Sequence, residues 1–588
     1  MLTQAQEVIQ ESSVATPHNA SLRIAVLFVA MVWVPATSMQ IAFIVGLKDV
    51  WVPVSILTIA MFLVLYKYLF SKLSYKSSLV LCISVISLIL LARAIDKFLY
   101  DSTGDGRWYH EDAILGVLHG INPVYQEIPA NPVVFANHYP KASWYFSAFV
   151  IHLVRSYQVG KIYHFILMFG CAAYSWSFFR RTGIGGMPRL LLTVVTALAP
   201  VSASQMLSYY VDGALSSLLT MTILSAVSLL YFPQQLDRLL FFLSASLAFG
   251  LKFTAVPYIA SVAVVILLAR ITILCRKPKP RPWRVLWGDI GIVMVTVGFG
   301  IVVIGFTPYV TNIRSGLHIL YPVMGSNKID VVKAQMPAVL RVRSYNRFEK
   351  FFISYFSYTR EWVDDRKMGG LAFDKRGLKI PFKVTRSELI AQCAPDIRLA
   401  GWGVLMSGIT LVAAILFLSA KGWQDRVATL ALVLTLTTTF INPECWNARF
   451  APQVALLPIF LLLPALRTTS RFIKGCAHLL GGLLLVNNVL LAGGAIGLAI
   501  VKTKRLNEAF TRIAQRGGPG DYWGLKEGSM HLIQFSGLRG IKICGEIPWS
   551  PEKLAPSGGF PVGMSLSSGP ELILYKGSCH DQPQFNSK

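Results

Sequence analysis

Acidic side chains gather in one short stretch of this chain, between residues 100 and 112. The stretch contains Asp101, Asp105, His110, Glu111 and Asp112. It follows directly on the apolar run 78–100. Charged groups at the mouth of a membrane helix are costly unless water solvates them or a reaction uses them. Two interpretations therefore stay open: a solvated loop that marks the membrane edge, and a catalytic carboxylate held at the membrane surface.

Three further charged residues, Asp212, Lys252 and Arg449, stand at predicted helix ends. A carboxylate there can take a proton from an attacking hydroxyl. Lys and Arg can hold the phosphate of a lipid-linked substrate and stabilise it as a leaving group. The structural alternatives are that both cations only extend to the membrane interface and that Asp212 caps its helix. The helix centres carry almost no charge, which favours a reaction centre at one membrane face over an ion pathway.

Aromatic residues are frequent in the same region of the chain. They include Trp108, Tyr109, Tyr125, Trp144 and Tyr145. Such rings can stack on sugar faces, and they can equally anchor a protein at the level of the lipid headgroups. The sequence leaves both roles open.

The composition is that of a membrane protein. Of 588 residues, 54% are hydrophobic and 14% are charged, whereas soluble domains carry about 25% charged residues. The net charge of +26 fits Lys and Arg in cytoplasmic loops and at lipid headgroups. Nucleic-acid binding is not expected, because no basic module with interleaved aromatic residues is visible. The eight Cys form no Cys-x-x-Cys pair, so neither a zinc site nor a redox motif is signalled.

Apolar runs near the length of about 20 residues that spans a bilayer recur along the chain. We predict about thirteen transmembrane helices, at 22–46, 51–70, 78–100, 160–179, 188–207, 212–232, 236–251, 255–275, 285–308, 399–419, 427–441, 448–466 and 476–501. The predicted fold class is therefore an all-α polytopic membrane protein.

Lys and Arg in the short loops set the predicted orientation. They cluster at 67–76, 180–189, 276–284 and 467–474. Counting the spans puts all four loops on one side, which we predict to be cytoplasmic together with the N-terminal tail 1–21. The opposite side then holds two outer loops of the transmembrane domain 22–501, at 101–158 and 309–398, and the C-terminal domain 502–588. The candidate site is expected on the outer, periplasmic side of the inner (plasma) membrane.

Two parts of the outer side carry local expectations. The stretch 143–157 predicts an amphipathic helix that lies in the interface. In the tail, 541–544 and 571–575 predict strands, and hence a small β or α/β domain, with a mobile extension as the alternative. Cys544 and Cys579 can form a disulfide in an oxidising compartment or stay as free thiols.

Several short segments of the membrane region, roughly 93–466, resemble bacterial members of the GT-C superfamily of glycosyltransferases. The segments are Gly-Asp-Gly-Arg-Trp-Tyr-His at 104–110, Ala-Ile at 113–114, Gly-Ile-Asn-Pro-Val-Tyr at 120–125, His-Tyr-Pro-Lys at 138–141, Gly-Leu-Lys-Phe-Thr at 250–254 and Asn-Ala-Arg-Phe-Ala-Pro at 447–452. The first four resemble the first outer loop of that family, and the placement of Asp212 is also similar.

The resemblance implies an enzyme that moves a sugar from a polyprenyl-phosphate or polyprenyl-diphosphate donor to a glycan, lipid or protein acceptor, usually with inversion. The family's essential Asp corresponds best to Asp105, which would be the general base with His110 nearby. The implied substrate-binding residues are Lys252 and Arg449 at the donor phosphate, together with Glu111, Asp112, Asp212 and Tyr109. Glu111 and Asp112 depart from the commonest spacing in the family. No cofactor is implied, and a divalent metal is compatible with the reading although no set of ligands stands out.

Two other functions fit a membrane protein of this kind. A flippase for lipid-linked saccharides would need basic residues inside the bundle at mid-depth, and the sequence has few. A ligase or polymerase that joins preassembled glycans usually depends on Arg and His in the large outer loop. Arg341, Arg343, Arg347 and Arg360 keep that alternative open.

Overall fold

The computed structural model describes residues 20–70, 75–101, 103–128, 133–276, 282–330, 336–341, 344–361 and 378–517, and four strands beyond them. The described helices are Ala20–Val45 (α1), Trp51–Phe70 (α2), Tyr75–Phe98 (α3), Glu111–Leu118 (α4), Val133–His138 (α5), Ala142–Val154 (α6), Tyr163–Arg181 (α7), Gly186–Ala197 (α8), Pro200–Gln205 (α9), Asp212–Tyr231 (α10), Gln235–Phe249 (α11), Ala255–Cys275 (α12), Trp283–Phe299 (α13), Thr311–Arg314 (α14), Ala338–Arg341 (α15), Arg347–Tyr355 (α16), Arg386–Ala391 (α17), Met406–Ser419 (α18), Arg426–Phe440 (α19), Leu456–Arg467 (α20) and Arg471–Gly517 (α21). The tail prediction for 1–21 falls almost wholly outside these residues.

Every predicted span contains helix, although the span 399–419 becomes helical only at Met406, and the fold class is confirmed as an all-α polytopic membrane protein. Within the described ranges, eight helices are long and apolar enough to cross a membrane, and five shorter apolar helices accompany them. One predicted span, 188–207, is wrong as a single helix, because the structure divides it into α8 and α9. Pro200 opens α9, where its missing N–H and fixed φ suit a first helical turn rather than a helix interior.

Helix α10 is the centre of the bundle. All of the span Asp212–Tyr231 is buried, and it packs against α7, α9, α11, α12 and α19. A helix enclosed on every side needs no amphipathic stripe, and its Ser and Thr side chains make hydrogen bonds within the bundle, such as Thr222 with Ser244 at 3.0 Å. Helices α2 and α3 are the opposite case, since only 17% of each span is buried.

The helices alternate in direction as the spans predict. Asp105, Asp212, Lys252 and Arg449 come together at one end of the bundle, which we call the Asp105 end. The ion pair between Arg181 and Asp237 lies at the junction of the opposite ends of α7 and α11. The large loop 309–398 belongs to the Asp105 end, because it joins two helix ends on that side.

The stretch predicted as an interfacial amphipathic helix forms α6, and its placement in the interface stays a prediction. Every side chain from Ala142 to Phe149 is buried, and α6 packs against α1 and α4. Arg155 adopts a left-handed backbone with φ of 60° and ends the helix. The helix therefore supports α4 from behind.

The large loop folds onto the bundle. Helices α16 and α17 each begin with a capping box, at Asn346 and Thr385. The short strands Arg360–Glu361 (β1) and Ile397–Leu399 (β2) pair antiparallel and tie the end of the loop to its middle. Phe351 packs edge-on against Trp402, which anchors the loop to the start of α18.

Helix α21 runs for 47 residues and continues past the predicted domain boundary at residue 502 to Gly517. The polar residues after 501 are good helix formers without Gly or Pro, so the helix persists. Beyond it, a four-stranded mixed sheet has the order β4-β3-β6-β5. Its strands are Gly520–Leu525 (β3), Ile541–Ile547 (β4), Pro561–Met564 (β5) and Leu572–Lys576 (β6). The two predicted strands are thus confirmed, whereas the pairing of Cys544 and Cys579 lies outside the described side chains.

Candidate active site

Asp105 stands at the start of a helix rather than in the Gly-flanked turn that the sequence suggests. Its backbone is helical, with φ of −60° and ψ of −34°, and a π-helical turn, Gly106–His110, follows and leads into α4. Such π turns occur frequently at functional sites. Gly106 is required by space, since a Cβ there would overlap the Asp101 carboxylate and the Thr103 hydroxyl, whereas a Cβ at Gly104 meets nothing.

Arg449 is the hub of the site. Its Nη2 donates to Asp105 Oδ2 at 2.9 Å, and its Nε donates to Asp212 Oδ2 at 2.7 Å. Its Nη1 lies 3.1 Å from Asp396 Oδ1. The guanidinium also lies 4.3 Å from the centre of the Tyr210 ring, where a cation–π contact supports it. One planar cation therefore joins three carboxylates that are far apart in sequence.

Asp212 forms the buried floor of this arrangement. Lys252 binds its Oδ1, and Gln205 donates to its Oδ2 at 3.1 Å. The predicted capping role of Asp212 is wrong, because its side chain makes no capping hydrogen bond. The backbone N–H of Gly213 instead donates to Gln205 Oε1 at 2.9 Å. The Lys252 Nζ also lies 4.4 Å from the centre of the Phe450 ring.

Neither cation extends toward a membrane surface. Lys252 and Arg449 are both held in ion pairs inside the protein, so the alternative that they only reach for the interface does not describe them. The helix ends explain the placement: Lys252 lies in the break between α11 and α12, and Arg449 lies in the loop between α19 and α20. Separate breaks in the bundle thus deliver the two cations to one carboxylate.

Two members of the site were missed by the sequence reading. Asp396 and Arg398 lie at β2 near the end of the large loop, just before the predicted span 399–419, and they bind each other at 2.5 Å. The rule that selected Asp212, a charge at a helix end on the Asp105 side, would have selected them as well. We call the set Asp105, Asp212, Lys252, Asp396, Arg398 and Arg449 the Arg449 cluster.

Exposure separates the carboxylates of the Arg449 cluster. The Asp105 side chain is 26% exposed and that of Asp396 is 20% exposed, whereas Asp212 is 1% exposed. Burial raises the pKa of the Asp105 carboxyl above its ordinary value, and Asp396 adds to the rise while Arg449 opposes it. Asp105 is therefore a stronger base than a carboxylate in water and can still be reached by a substrate.

His110 and Tyr109 lie in an aromatic wall next to the Arg449 cluster. Trp144 Nε1 donates to His110 Nδ1 at 2.7 Å, so the imidazole proton is assigned to Nε2 because an indole only donates. Burial lowers the pKa of His110 to about 3, which keeps the ring neutral. Tyr109 packs against His110 and Tyr139. With its lone pair occupied, His110 is placed to support the wall rather than to accept a proton.

The remaining acids of the first stretch have different settings. Asp101 is fully buried and accepts hydrogen bonds from the backbone N–H of Thr103 at 2.8 Å and of Tyr209 at 2.6 Å. It therefore holds the loop in place and does not simply mark the membrane edge. Glu111 is fully buried in α4, out of reach of a substrate in this structure, and Asp112 beside it is partly exposed.

The described residues contain no group of three or more His, Cys, Asp and Glu arranged to hold a metal ion. The three carboxylates of the Arg449 cluster surround a guanidinium, which supplies the positive charge at their centre.

Comparison with known proteins gives structural neighbours of this chain. The chain matches no family model and no curated protein by sequence. Among solved structures it is similar to ArnT from Cupriavidus metallidurans, which was crystallised with bound undecaprenyl phosphate. The two chains are 10% identical, the alignment covers 87% of this chain and 100% of that chain, and the TM-score is 0.43.

Proposed function

We propose that this protein is a membrane glycosyltransferase of the GT-C type. It would take a sugar from a polyprenyl-phosphate donor and pass it, with inversion, to a glycan, lipid or protein acceptor at the outer face of the inner membrane. One observation carries the proposal: Asp105, a partly exposed carboxylate, shares Arg449 with the buried pair of Asp212 and Lys252 at one end of a helical membrane bundle. A base and two cations thus meet where a lipid headgroup would arrive.

The reaction follows from the roles of these groups. Asp105 accepts the proton of the acceptor hydroxyl, and the hydroxyl oxygen forms a bond to the anomeric carbon of the donor sugar. The bond from that carbon to the phosphate oxygen breaks on the opposite face, and its electron pair stays on the phosphate. Arg449 and Lys252 stabilise the charge that builds up on the leaving polyprenyl phosphate. The raised pKa of Asp105 makes it a better proton acceptor at neutral pH.

The contacts favour this reading over the two rival functions. Charge concentrates at the end of the bundle rather than along its middle, which does not suit the path of a flippase. Of the loop arginines that keep the ligase alternative open, Arg347 donates to the carbonyl of Phe440 at 2.7 Å and so closes the end of α19. The other three, Arg341, Arg343 and Arg360, have side chains outside the described residues.

The test is a transfer assay on the purified full chain with a panel of polyprenyl-phosphate sugars, followed by mass spectrometry of the released polyprenyl phosphate. We expect release with at least one donor, and loss of release in Asp105→Asn. Release at the same rate in Asp105→Asn, or no release with any donor, would contradict the proposal.

A further inference from the structure

All three nitrogen positions of Arg449 are occupied by carboxylates in this structure. Nε donates to Asp212, Nη2 donates to Asp105, and Nη1 lies within ion-pair distance of Asp396. Within the Arg449 cluster, the charges of three carboxylates balance those of Lys252, Arg398 and Arg449. A phosphate that approaches Arg449 therefore meets a guanidinium whose charge is already balanced and which has a carboxylate at each nitrogen, and it can take one of these positions only if that carboxylate gives way.

The three carboxylates are not equally able to leave. Asp212 is buried and is also held by Lys252 and Gln205. Asp105 is fixed by the helical turn that starts beside it. Asp396 lies on an irregular loop end, makes the longest of the three contacts to Arg449, and already has a second cation in Arg398 at 2.5 Å. Loss of the Arg449 contact leaves Asp396 paired with Arg398 and partly exposed, whereas Asp105 would lose its ion pair and Asp212, although still paired with Lys252, is too deeply buried to move aside.

We infer that Asp396 is a positioning residue that holds the place of the donor phosphate. In this structure it lies against Nη1 of Arg449, and on donor binding it yields that nitrogen to the phosphate of the polyprenyl donor and stays with Arg398. This inference rests on the proposed function and adds a regulatory step to the same site.

The exchange of Asp396 for phosphate would also affect the large loop. Asp396 adjoins β2, which pairs with β1 of the same loop. The carbonyl of the preceding residue, Pro395, accepts a hydrogen bond from Gln205 at 3.3 Å, and Gln205 itself holds Asp212. Because these contacts are continuous, the movement of one carboxylate links phosphate binding to the position of β2 at the end of the large loop.

The test is calorimetric titration of a polyprenyl phosphate in detergent into the full-length protein and four variants. Asp396→Asn removes the competing charge and should bind about tenfold tighter, the scale of one charge-assisted hydrogen bond. Arg398→Gln removes the second partner of Asp396, strengthens its hold on Arg449, and should bind several-fold weaker. The double variant should bind as tightly as Asp396→Asn. The control Asp237→Asn, which removes a paired carboxylate away from the Asp105 end, should bind as the wild type does.

Each other result has a definite meaning. Unchanged or weaker binding by Asp396→Asn would overturn the inference while leaving the proposed function intact. A double variant as weak as Arg398→Gln would make Arg398 itself a phosphate ligand and would also overturn it. No binding by the wild-type protein would reject both the inference and the proposed function. Thermal unfolding of each variant in the same detergent shows that the comparison is made between folded proteins.

Discussion

Charged pairs occur at both ends of the bundle, but they are built differently. Away from the Asp105 end, Arg181 donates to both oxygens of Asp237, at 2.7 and 3.0 Å, and Tyr174 adds a hydrogen bond at 2.7 Å. Arg270 and Asp289 likewise meet one to one at 2.6 Å. In the Arg449 cluster, by contrast, one guanidinium is shared among three carboxylates, two of them partly exposed.

The difference separates a structural pair from a reactive one. A one-to-one pair whose carboxylate is almost fully buried balances its own charge and exposes no carboxylate that a ligand could displace. A cation that is shared among partly exposed carboxylates can exchange one of these carboxylates for an anionic ligand. Buried charge alone therefore does not identify a reactive site in this protein. The number of carboxylates that share one cation, and the exposure of those carboxylates, distinguish the Arg449 cluster.

The largest effect on stability is expected from Asp237→Ala. It leaves Arg181 buried without its carboxylate, and breaking such a pair by removing one partner costs about 3–5 kcal/mol. Thermal unfolding in detergent should show a marked drop, while transfer per folded molecule stays unchanged. A loss of transfer in the folded fraction would show that the two ends of the bundle are not separate in function.

Asp105→Asn should have the largest effect on catalysis. The change keeps the shape and removes the basic oxygen, so we expect transfer to fall by at least about a hundredfold. The variant should still bind the donor, and thermal unfolding should stay close to that of the wild type, because Asp105 is partly exposed. Asp112→Asn, on the adjoining helix α4, is the matched control, and equal loss there would move the base to Asp112.

Arg449→Ala should weaken binding of the donor more than tenfold, since one charge-assisted contact contributes about 1.5–3 kcal/mol. Lys252→Ala should have the same direction and should also destabilise the protein, because Asp212 then keeps only part of its compensation. Titration of polyprenyl phosphate and thermal unfolding separate the two effects. Donor affinity at the wild-type level in both variants would show that this cluster does not bind the donor phosphate.

Gly106→Ala and Gly104→Ala form a matched pair that probes how Asp105 is positioned. A methyl at 106 displaces Asp101 and Thr103 and should reduce kcat several-fold or more, whereas the same methyl at 104 has open space around it. Transfer kinetics on both variants check this, and equal rates would show that the turn tolerates the displacement.

The pH dependence gives the smallest expected effect. Because burial raises the pKa of Asp105, and the base must be deprotonated, kcat/KM should fall toward acid with a midpoint above the value of about 4 of an ordinary Asp. Removing the negative charge of Asp396 should move that midpoint to lower pH. A profile of Asp396→Asn that shifts to higher pH would contradict the assigned electrostatics.

The sequence predicts much of this molecule, and its failures have physical causes. Apolar runs locate the spans because a bilayer demands length and hydrophobicity, and the helix-end rule finds Asp105, Asp212, Lys252 and Arg449. Hydropathy cannot show that these four meet, because their contacts join residues up to 344 positions apart. It also cannot show that α6 is buried against α1 and α4, since a buried short helix and an interfacial one have the same apolar character. Asp396 and Arg398 were overlooked because they end a long polar loop in which charge is common.

The complete burial of α10 has a consequence for the lipid environment. Hydrophobic mismatch between a bilayer and a protein is taken up by the surfaces that touch acyl chains, and in this protein α2 and α3 offer such surfaces. Helix α10, which begins at Asp212, is enclosed by other helices, so its depth is fixed by protein packing. A thicker or thinner bilayer would therefore tilt the peripheral helices while the distance between Asp105 and Asp212, bridged by a single guanidinium, stays the same.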